Sequence, residues 1–225
     1  MPETRGHLLP VYVLVDESGS MANWIDDLNA GLQSLHQALL GEPMAAAKVR
    51  FSVLGFSDDV VTRLHLADLR RIERLPPVVR RSATNYGAVF QALLTGIPRD
   101  VAALKADGYA IHRPAVFFLS DGEPSDGNQW RAIHSRLVDR TTNPAAPNII
   151  ACGIGEAEAE TILAVATEPR FAFVSIAGAN IGQAIAKFCT ALTKSLVVSG
   201  RSVGTANAEL HVDRPAGFRM AIDVI

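Results

Sequence analysis

A short run of apolar residues near the amino terminus, Val11 to Val15, constrains the fold more than any other feature of this sequence. The run is rich in β-branched side chains, and it lies between Pro10 and a group of acidic and small polar residues. A continuous apolar run of this length is typical of a strand that is buried on both faces, as in a parallel sheet. We therefore expect Val11 to Val15 to form an interior strand of an open α/β sheet.

The residues that follow this strand carry oxygen side chains at alternate positions. Asp16, Ser18 and Ser20 lie on a turn that also contains Gly19. Ligands of open α/β sheets bind at the carboxyl ends of the strands, and closely spaced oxygen ligands suit Mg²⁺. Taken alone, the segment also fits a polar turn in which a serine caps the next helix.

Two further stretches place polar residues before a helix or after a strand. Thr84 precedes a helical pattern that begins near Val89, where it could equally be a helix N-cap. Asp121 follows the apolar strand Ala115 to Leu119, where it could equally form an Asx-turn. If the first strand and this strand are neighbours, their polar ends converge on one crevice.

Strands and helices alternate along the chain, which is typical of the doubly wound α/β fold. We predict a mostly parallel six-stranded sheet with helices on both faces, Rossmann-like in arrangement, and an antiparallel edge strand that follows a hairpin turn at 57–59. The predicted strands cover residues 11–15, 49–56, 60–66, 115–119, 148–155 and 171–176.

Several boundaries are predicted from breaker residues and from composition. Pro98 interrupts the helical pattern that follows Thr84, which indicates a kink or two short helices. Residues 67–81 are charged and contain two prolines, so we expect a surface connection with at most one helical turn. We place the main domain at 1–198 and an extension at 199–225, with either two short strands or no order.

The bulk composition fits one α/β domain of 225 residues. A net charge of −2 provides neither a basic footprint for nucleic acid nor a polybasic patch for a membrane surface.

Cys152 and Cys189 lie in apolar patterns, and we expect buried thiols, as in a reducing compartment. The first ten residues contain no apolar leader, and the unbroken apolar runs are too short to span a bilayer. These features predict a cytoplasmic protein.

Taken together, the three polar stretches resemble the von Willebrand factor A domain family over roughly residues 8–198. Members of that family carry a metal-ion-dependent adhesion site with a D-x-S-x-S loop, a threonine on a second loop and an aspartate on a third. The positions that match this pattern here are Asp16, Ser18, Ser20, Thr84 and Asp121.

The resemblance implies a site for Mg²⁺, with Mn²⁺ or Ca²⁺ as alternatives. In such sites both serine hydroxyls bind the ion directly, and at least one aspartate acts through water. A glutamate or aspartate of a protein partner then completes the coordination, with no bond-making chemistry. On this picture we expect Glu17 to face outward and to tune partner choice. Glu123 and Asp126 on the rim would either select partners or lie in a solvated loop.

Within the family, the sequence is most similar to bacterial TerY-like proteins of tellurium-resistance gene clusters. The shared features include the L-P-V-Y start, the N-x-G-L-Q-S-L helix, A-T-N-x-G and S-D-G-E-P-S-D. This resemblance implies a phospho-signalling complex in a tellurite or stress response, with a protein kinase and a PP2C-type phosphatase as possible partners.

The alternative from another functional class is a Mg²⁺-dependent phosphatase or phosphotransferase of the haloacid-dehalogenase type. Such enzymes use a D-x-D pair, in which one aspartate is the nucleophile and the next is the acid/base. Ser18 occupies the second position here and cannot serve as that acid/base. We also find no phosphate-binding loop and no H-E-x-x-H motif, and the histidines lack ligand spacing. The sequence therefore favours a binding protein over an enzyme.

Overall fold

A computed structural model describes residues 4–176, 178, 180–205 and 209–223. Within these residues the chain forms a sheet of eight strands. The strands are His7–Asp16 (β1), Val49–Phe56 (β2), Val60–Ala67 (β3), Ala110–Ile111 (β4), Ala115–Ser120 (β5), Asn148–Gly153 (β6), Ala172–Ser175 (β7) and Phe218–Met220 (β8). The helices are Ile25–Leu40 (α1), Pro43–Lys48 (α2), Tyr86–Ala106 (α3), Trp130–Val138 (α4), Ala159–Val165 (α5) and Ile181–Ser202 (α6).

The sheet is mostly parallel, as the sequence predicts. Its strand order is β3-β2-β1-β5-β6-β7-β8, with β4 paired to the start of β1. The edge strands β3 and β8 are antiparallel to their neighbours. The fold class and the hairpin at 57–59 are confirmed, but the prediction of six strands is wrong. Strand β4 has only two residues, too few for a periodic pattern, and β8 belongs to the segment that was predicted as an extension.

Strand β1 is covered by helices on both faces, which explains its unbroken apolar run. Val11, Val13 and Val15 point to a core that contains α1, α2 and α6. Tyr12 and Leu14 point to a second core formed with α3, α4 and α5. Successive side chains of the strand point to opposite faces, and both faces are buried, so apolar residues are needed at every position.

The order in which the strands are added to the sheet reverses between β1 and β5. Strand β1 pairs with β2 on one side and with β5 on the other, and the later strands β6 and β7 extend away from β5. Val15 is aligned with Leu119, so Asp16 lies beside Ser120. The expectation that the two polar strand ends are neighbours is confirmed, and the crevice lies at the switch point of the sheet.

Three local predictions differ from the structure. Helix α3 continues through Pro98 as one element rather than as two short helices, because a buried face that includes Val89, Phe90 and Ile97 offsets the lost backbone hydrogen bond. The 67–81 segment does contain one helical turn, at Leu69–Arg71, but Leu69, Leu75 and Val78 are buried in the core rather than on the surface. Helix α6 passes the predicted boundary at 198 and ends at Ser202.

Helix α6 is long and apolar enough to cross a membrane by length and composition alone. In the fold, however, Ile185, Phe188, Leu192 and Leu196 are at most 1% exposed and pack in the core. Polar residues interrupt its apolar ones, so the helix contains no long unbroken apolar run. This burial is that of an amphipathic helix whose apolar face packs inward.

Two helical glycines differ in the space around them, which gives a matched test of the packing. A Cβ atom at Gly200 would lie 3.0 Å from the Cα and Cβ atoms of Ala45, where α6 crosses α2, whereas a Cβ atom at Gly96 in α3 would meet nothing within 4 Å. We expect Gly200→Ala to lower the free energy of unfolding by about 1–3 kcal/mol. Gly96→Ala should raise it by about 0.5–1 kcal/mol, because alanine favours the helix.

Urea unfolding of both variants measures this difference. Equal shifts of the same sign would contradict the close approach of α6 to α2.

Candidate metal site

Asp16 is the last residue of β1, and its carboxylate is fully buried. One oxygen, Oδ1, accepts a hydrogen bond from the Ser18 N–H at 2.8 Å. The other, Oδ2, accepts one from the Ser120 hydroxyl at 2.6 Å. The carboxylate therefore fixes the first turn after β1 and ties it to the end of β5.

A chain of hydrogen bonds continues from this turn to the third loop, which follows β5 and carries Asp121. The Ser18 and Ser20 hydroxyl oxygens lie 3.0 Å apart, and the Ser20 hydroxyl donates to Oδ1 of Asp121 at 2.7 Å. Ser18 and Asp121 are buried, whereas Ser20 is exposed. The structure thus brings together four of the five predicted ligands, Asp16, Ser18, Ser20 and Asp121, in one cluster that reaches the surface at Ser20.

Thr84 lies on the second loop, just before α3, and is 8% exposed. It is not the N-cap of that helix, because the Asn85 side chain accepts the Ala88 N–H at 2.8 Å. The Thr84 carbonyl accepts hydrogen bonds from the N–H and the hydroxyl of Ser125, at 2.7 and 2.9 Å. Among the described residues, no hydrogen bond joins the Thr84 hydroxyl to the other four candidate ligands. Its loop is nevertheless tied to the first loop, since the Gly19 N–H donates to the Ser82 carbonyl at 3.0 Å.

Burial disfavours the charged form of both carboxylates. It raises the pKa of Asp16 to about 6, although hydrogen bonds from Ser120 and Ser18 oppose the rise, and the nearby Asp121 charge adds to it. Burial also raises the pKa of Asp121, against the hydrogen bond from Ser20. Among the described residues, no lysine, arginine or histidine forms an ion pair with either group.

These residues fit a hard divalent cation. They offer carboxylate and hydroxyl oxygens, the ligands that Mg²⁺ and Ca²⁺ take in proteins, and a cation would compensate two buried negative charges. In the part of the chain that the structure covers, no three His, Cys, Asp or Glu side chains form a metal-binding group. A metal at this position therefore depends on the serine and threonine hydroxyls.

Glu17 does not face outward, and that expectation is wrong. Its side chain is fully buried, with Oε1 and Oε2 accepting two hydrogen bonds from the Arg63 guanidinium at 3.0 and 2.8 Å. Gly55 on β2 leaves room for the carboxylate, since a Cβ atom there would overlap it. Glu17 is a buried structural residue rather than part of the partner-binding rim.

Glu123 and Asp126 lie on the third loop, where each supports a helix. Glu123 is exposed and accepts hydrogen bonds at the start of α5, from the Glu158 N–H at 3.2 Å and the Thr161 hydroxyl at 3.0 Å. Asp126 Oδ2 accepts the Gly87 N–H at the start of α3, at 2.8 Å. Neither residue is simply part of a solvated loop.

Two residues of the site were not singled out from the sequence. Ser120 holds Asp16, and the only sequence signal for it is a small polar residue at the end of a strand that pairs with β1. Tyr86 donates from its hydroxyl to the Gly122 carbonyl at 3.0 Å and so positions the third loop. In the sequence, a tyrosine in an apolar helical pattern cannot be distinguished from an ordinary core residue.

No protein-family model matches the sequence, and no curated protein matches it significantly. Solved structures do match. Proximal thread matrix protein 1 from the mussel byssus, in a structure described as having a zinc-occupied MIDAS motif (metal-ion-dependent adhesion site), shares 15% identity with a TM-score of 0.59. The pilus adhesin SpaC from Lactobacillus rhamnosus GG shares 12% identity with a TM-score of 0.60. A von Willebrand factor type A protein from Catenulispora acidiphila shares 12% identity with a TM-score of 0.51.

Each match covers 84% of this chain but only 48%, 30% and 43% of the respective relatives, so the chain spans less than half the length of these proteins. At these identities the likeness concerns the fold. The chain has the Rossmann-like fold of a von Willebrand factor type A domain.

Proposed function

We propose that this chain is a metal-dependent protein-binding domain. Mg²⁺, with Mn²⁺ or Ca²⁺ as alternatives, would be held by Asp16, Ser18, Ser20, Thr84 and Asp121. When bound, the ion supplies a positive charge that attracts a glutamate or aspartate carboxylate of a partner protein. The observation that supports this proposal most directly is the pair of buried carboxylates, Asp16 and Asp121, with no cationic side chain against them in the described residues.

Two other carboxylates with little exposed surface do have a cationic partner. Glu17 is paired with Arg63 at 2.8 Å, and Asp68 is paired with Arg70 at 2.7 Å. An uncompensated buried charge is costly, so carboxylates in protein interiors are paired with cations or coordinate metals. The carboxylates of Asp16 and Asp121 have no such partner in the described residues, and they lie beside the serine hydroxyls that a hard metal ion needs.

The site is open on the side from which a partner would approach. Ser20 is exposed, and it joins the buried Ser18 and Asp121 by hydrogen bonds. Mg²⁺ is usually bound by only one or two carboxylates and leaves other positions to water or ligand. A carboxylate from outside could therefore replace a water molecule at this surface. The mussel protein, whose MIDAS motif is described as holding zinc, supports a bound metal in this fold by analogy.

We further propose the cellular setting that the TerY-like resemblance implies. The chain would act in the bacterial cytoplasm, in a tellurite or other stress response, with a protein kinase and a PP2C-type phosphatase as partners and with neither nucleic acid nor membrane as a ligand. Co-purification with each purified partner in Mg²⁺ tests this setting. Complexes that persist unchanged in EDTA would contradict a metal-mediated contact.

We propose no enzymatic activity for the site. A phosphatase of the haloacid-dehalogenase type would need an acid/base two residues after Asp16, and Ser18 occupies that position with its hydroxyl directed to Ser20. Through a bound ion, this cluster would bind and orient the carboxylate of a partner.

Mg²⁺ should stabilise the wild-type fold. An ion that binds only the folded state adds RT ln(1 + [L]/Kd), about 2.7 kcal/mol at a hundred times Kd. We expect this gain in thermal unfolding when millimolar Mg²⁺ replaces EDTA. The gain should be lost in Asp16→Ala and reduced in Ser20→Ala, which removes an exposed hydroxyl and disturbs the fold less.

Asp107→Ala is the matched control, since Asp107 is an exposed aspartate at the end of α3. This variant should respond to Mg²⁺ like the wild type. An equal response of Asp16→Ala, or no response of the wild type to Mg²⁺, Mn²⁺ or Ca²⁺, would contradict the proposed site.

Without metal, the charge on Asp16 should make stability depend on pH. Its pKa in the folded state, about 6, lies above the unfolded value of 3.8, so its stabilising contribution is complete below pH 4 and is lost as the pH rises through 6. In EDTA at pH 7.5, Asp16→Asn should therefore be more stable than the wild type by about 3 kcal/mol. The advantage should vanish near pH 4. Urea unfolding across this pH range measures the difference in stability between the two proteins. A difference that does not change with pH would rule out the charge on Asp16 as its cause.

A further inference from the structure

The side chain of Glu17 joins three separate parts of the chain. Arg63 on β3 donates two hydrogen bonds to its carboxylate, and the Val79 N–H donates a third to Oε1 at 3.1 Å. The Arg81 guanidinium lies 3.9 Å from Oε2. The carboxylate is fully buried, so these contacts are shielded from water.

The main chain of the same residue makes two more connections. The Glu17 N–H donates to the Phe56 carbonyl at 2.9 Å, and the Glu17 carbonyl accepts the Arg81 N–H at 2.6 Å. Two residues further on, the Gly19 N–H donates to the Ser82 carbonyl. The first loop of the site therefore holds the 79–82 segment at successive points through Glu17 and Gly19.

This segment leads directly to Thr84. The Ser82 N–H donates to the Ser57 hydroxyl at 3.0 Å, and the Asn85 N–H donates to the Ser57 carbonyl at 2.8 Å. These bonds hold the loop on both sides of Thr84 from the β2–β3 turn. The Glu17 contacts hold it from the first loop, which carries Ser18 and Ser20.

We propose that Glu17 is a positioning residue that holds the second loop, and with it Thr84, against the metal-binding turn. The inference rests on the proposed function for its effect on metal affinity, but the position of the loop can be measured separately. Glu17 does not bind the ion or the partner itself. The buried ion pair of Glu17 fixes the spacing between the two loops. Through Arg63, the same ion pair links the edge strand β3 to both loops.

Glu17→Gln tests the proposal, because it keeps the size of the side chain and an acceptor oxygen but removes the ion pair with Arg63. We expect the Kd for Mn²⁺, used as the probe ion, to rise about tenfold, the scale typical of residues that support metal ligands. In EDTA, amide hydrogen exchange of residues 79–82 should become about tenfold faster.

Asp100→Asn is the matched control. Asp100 is also a buried carboxylate, 4% exposed, and it accepts the Tyr12 hydroxyl at 3.0 Å, but it contacts none of the three loops. This variant should lower the free energy of unfolding while leaving the Mn²⁺ affinity and the exchange of residues 79–82 within twofold of the wild type. Gly55→Ala, which crowds the Glu17 carboxylate without changing any charge, should act in the same direction as Glu17→Gln.

Two results would overturn the proposal. One is unchanged loop exchange in Glu17→Gln, and the other is an equal change in Asp100→Asn, which would indicate general destabilisation. If the wild type binds no Mn²⁺, the proposed function fails, while the exchange experiment still decides the positioning role. Should Glu17→Gln not fold, Arg63→Lys keeps the positive charge but not the two-point contact, and it should speed exchange of the same residues by about threefold.

Discussion

The organisation of the fold around its crevice depends on the buried carboxylate at the end of β1. Asp16 accepts hydrogen bonds from Ser18 on its own turn and from Ser120 on the neighbouring strand, and so joins two of the three loops. The charged form of the same carboxylate is unfavourable, because burial raises its pKa and no cationic side chain within the described residues compensates the negative charge. A metal ion bound by the rest of the site would offset the free-energy cost of burying this charge.

Two kinds of buried carboxylate therefore lie next to each other in the sequence and play opposite roles. The charge of Glu17 is satisfied within the fold by Arg63, and the residue holds the loops together. The charges of Asp16 and Asp121 have no such partner among the described residues, which leaves them available to a cation from solution. The alternation of strand residues separates the roles, because adjacent side chains at the end of β1 point to different sides. The Glu17 carboxylate lies against Gly55 of β2 and Arg63 of β3, whereas the Asp16 carboxylate contacts Ser18 and Ser120.

The sequence predicts the sheet and most of the cluster because both depend on local pattern. Buried strands leave apolar runs, and polar residues at the ends of neighbouring parallel strands must meet at one edge. The direction of Glu17 could not be predicted, since it depends on the space that Gly55 leaves on β2 and on Arg63 of β3. The continuity of α3 through Pro98 depends likewise on tertiary packing, which local propensity does not include. The β8 strand lies at the edge beside β7 and has only three residues; the sequence allows short strands in this segment but does not show that one of them joins the sheet.

The central claim is that the Asp16, Ser18, Ser20 and Asp121 cluster holds a divalent cation. Crystals grown with Mn²⁺ and measured near the manganese absorption edge test it most directly, because anomalous scattering locates the ion independently of any assumed site. We predict one strong peak within bonding distance of the Ser18 and Ser20 hydroxyl oxygens. Well-ordered loops with no manganese in this crevice at millimolar Mn²⁺, or an ion bound only elsewhere on the chain, would contradict it.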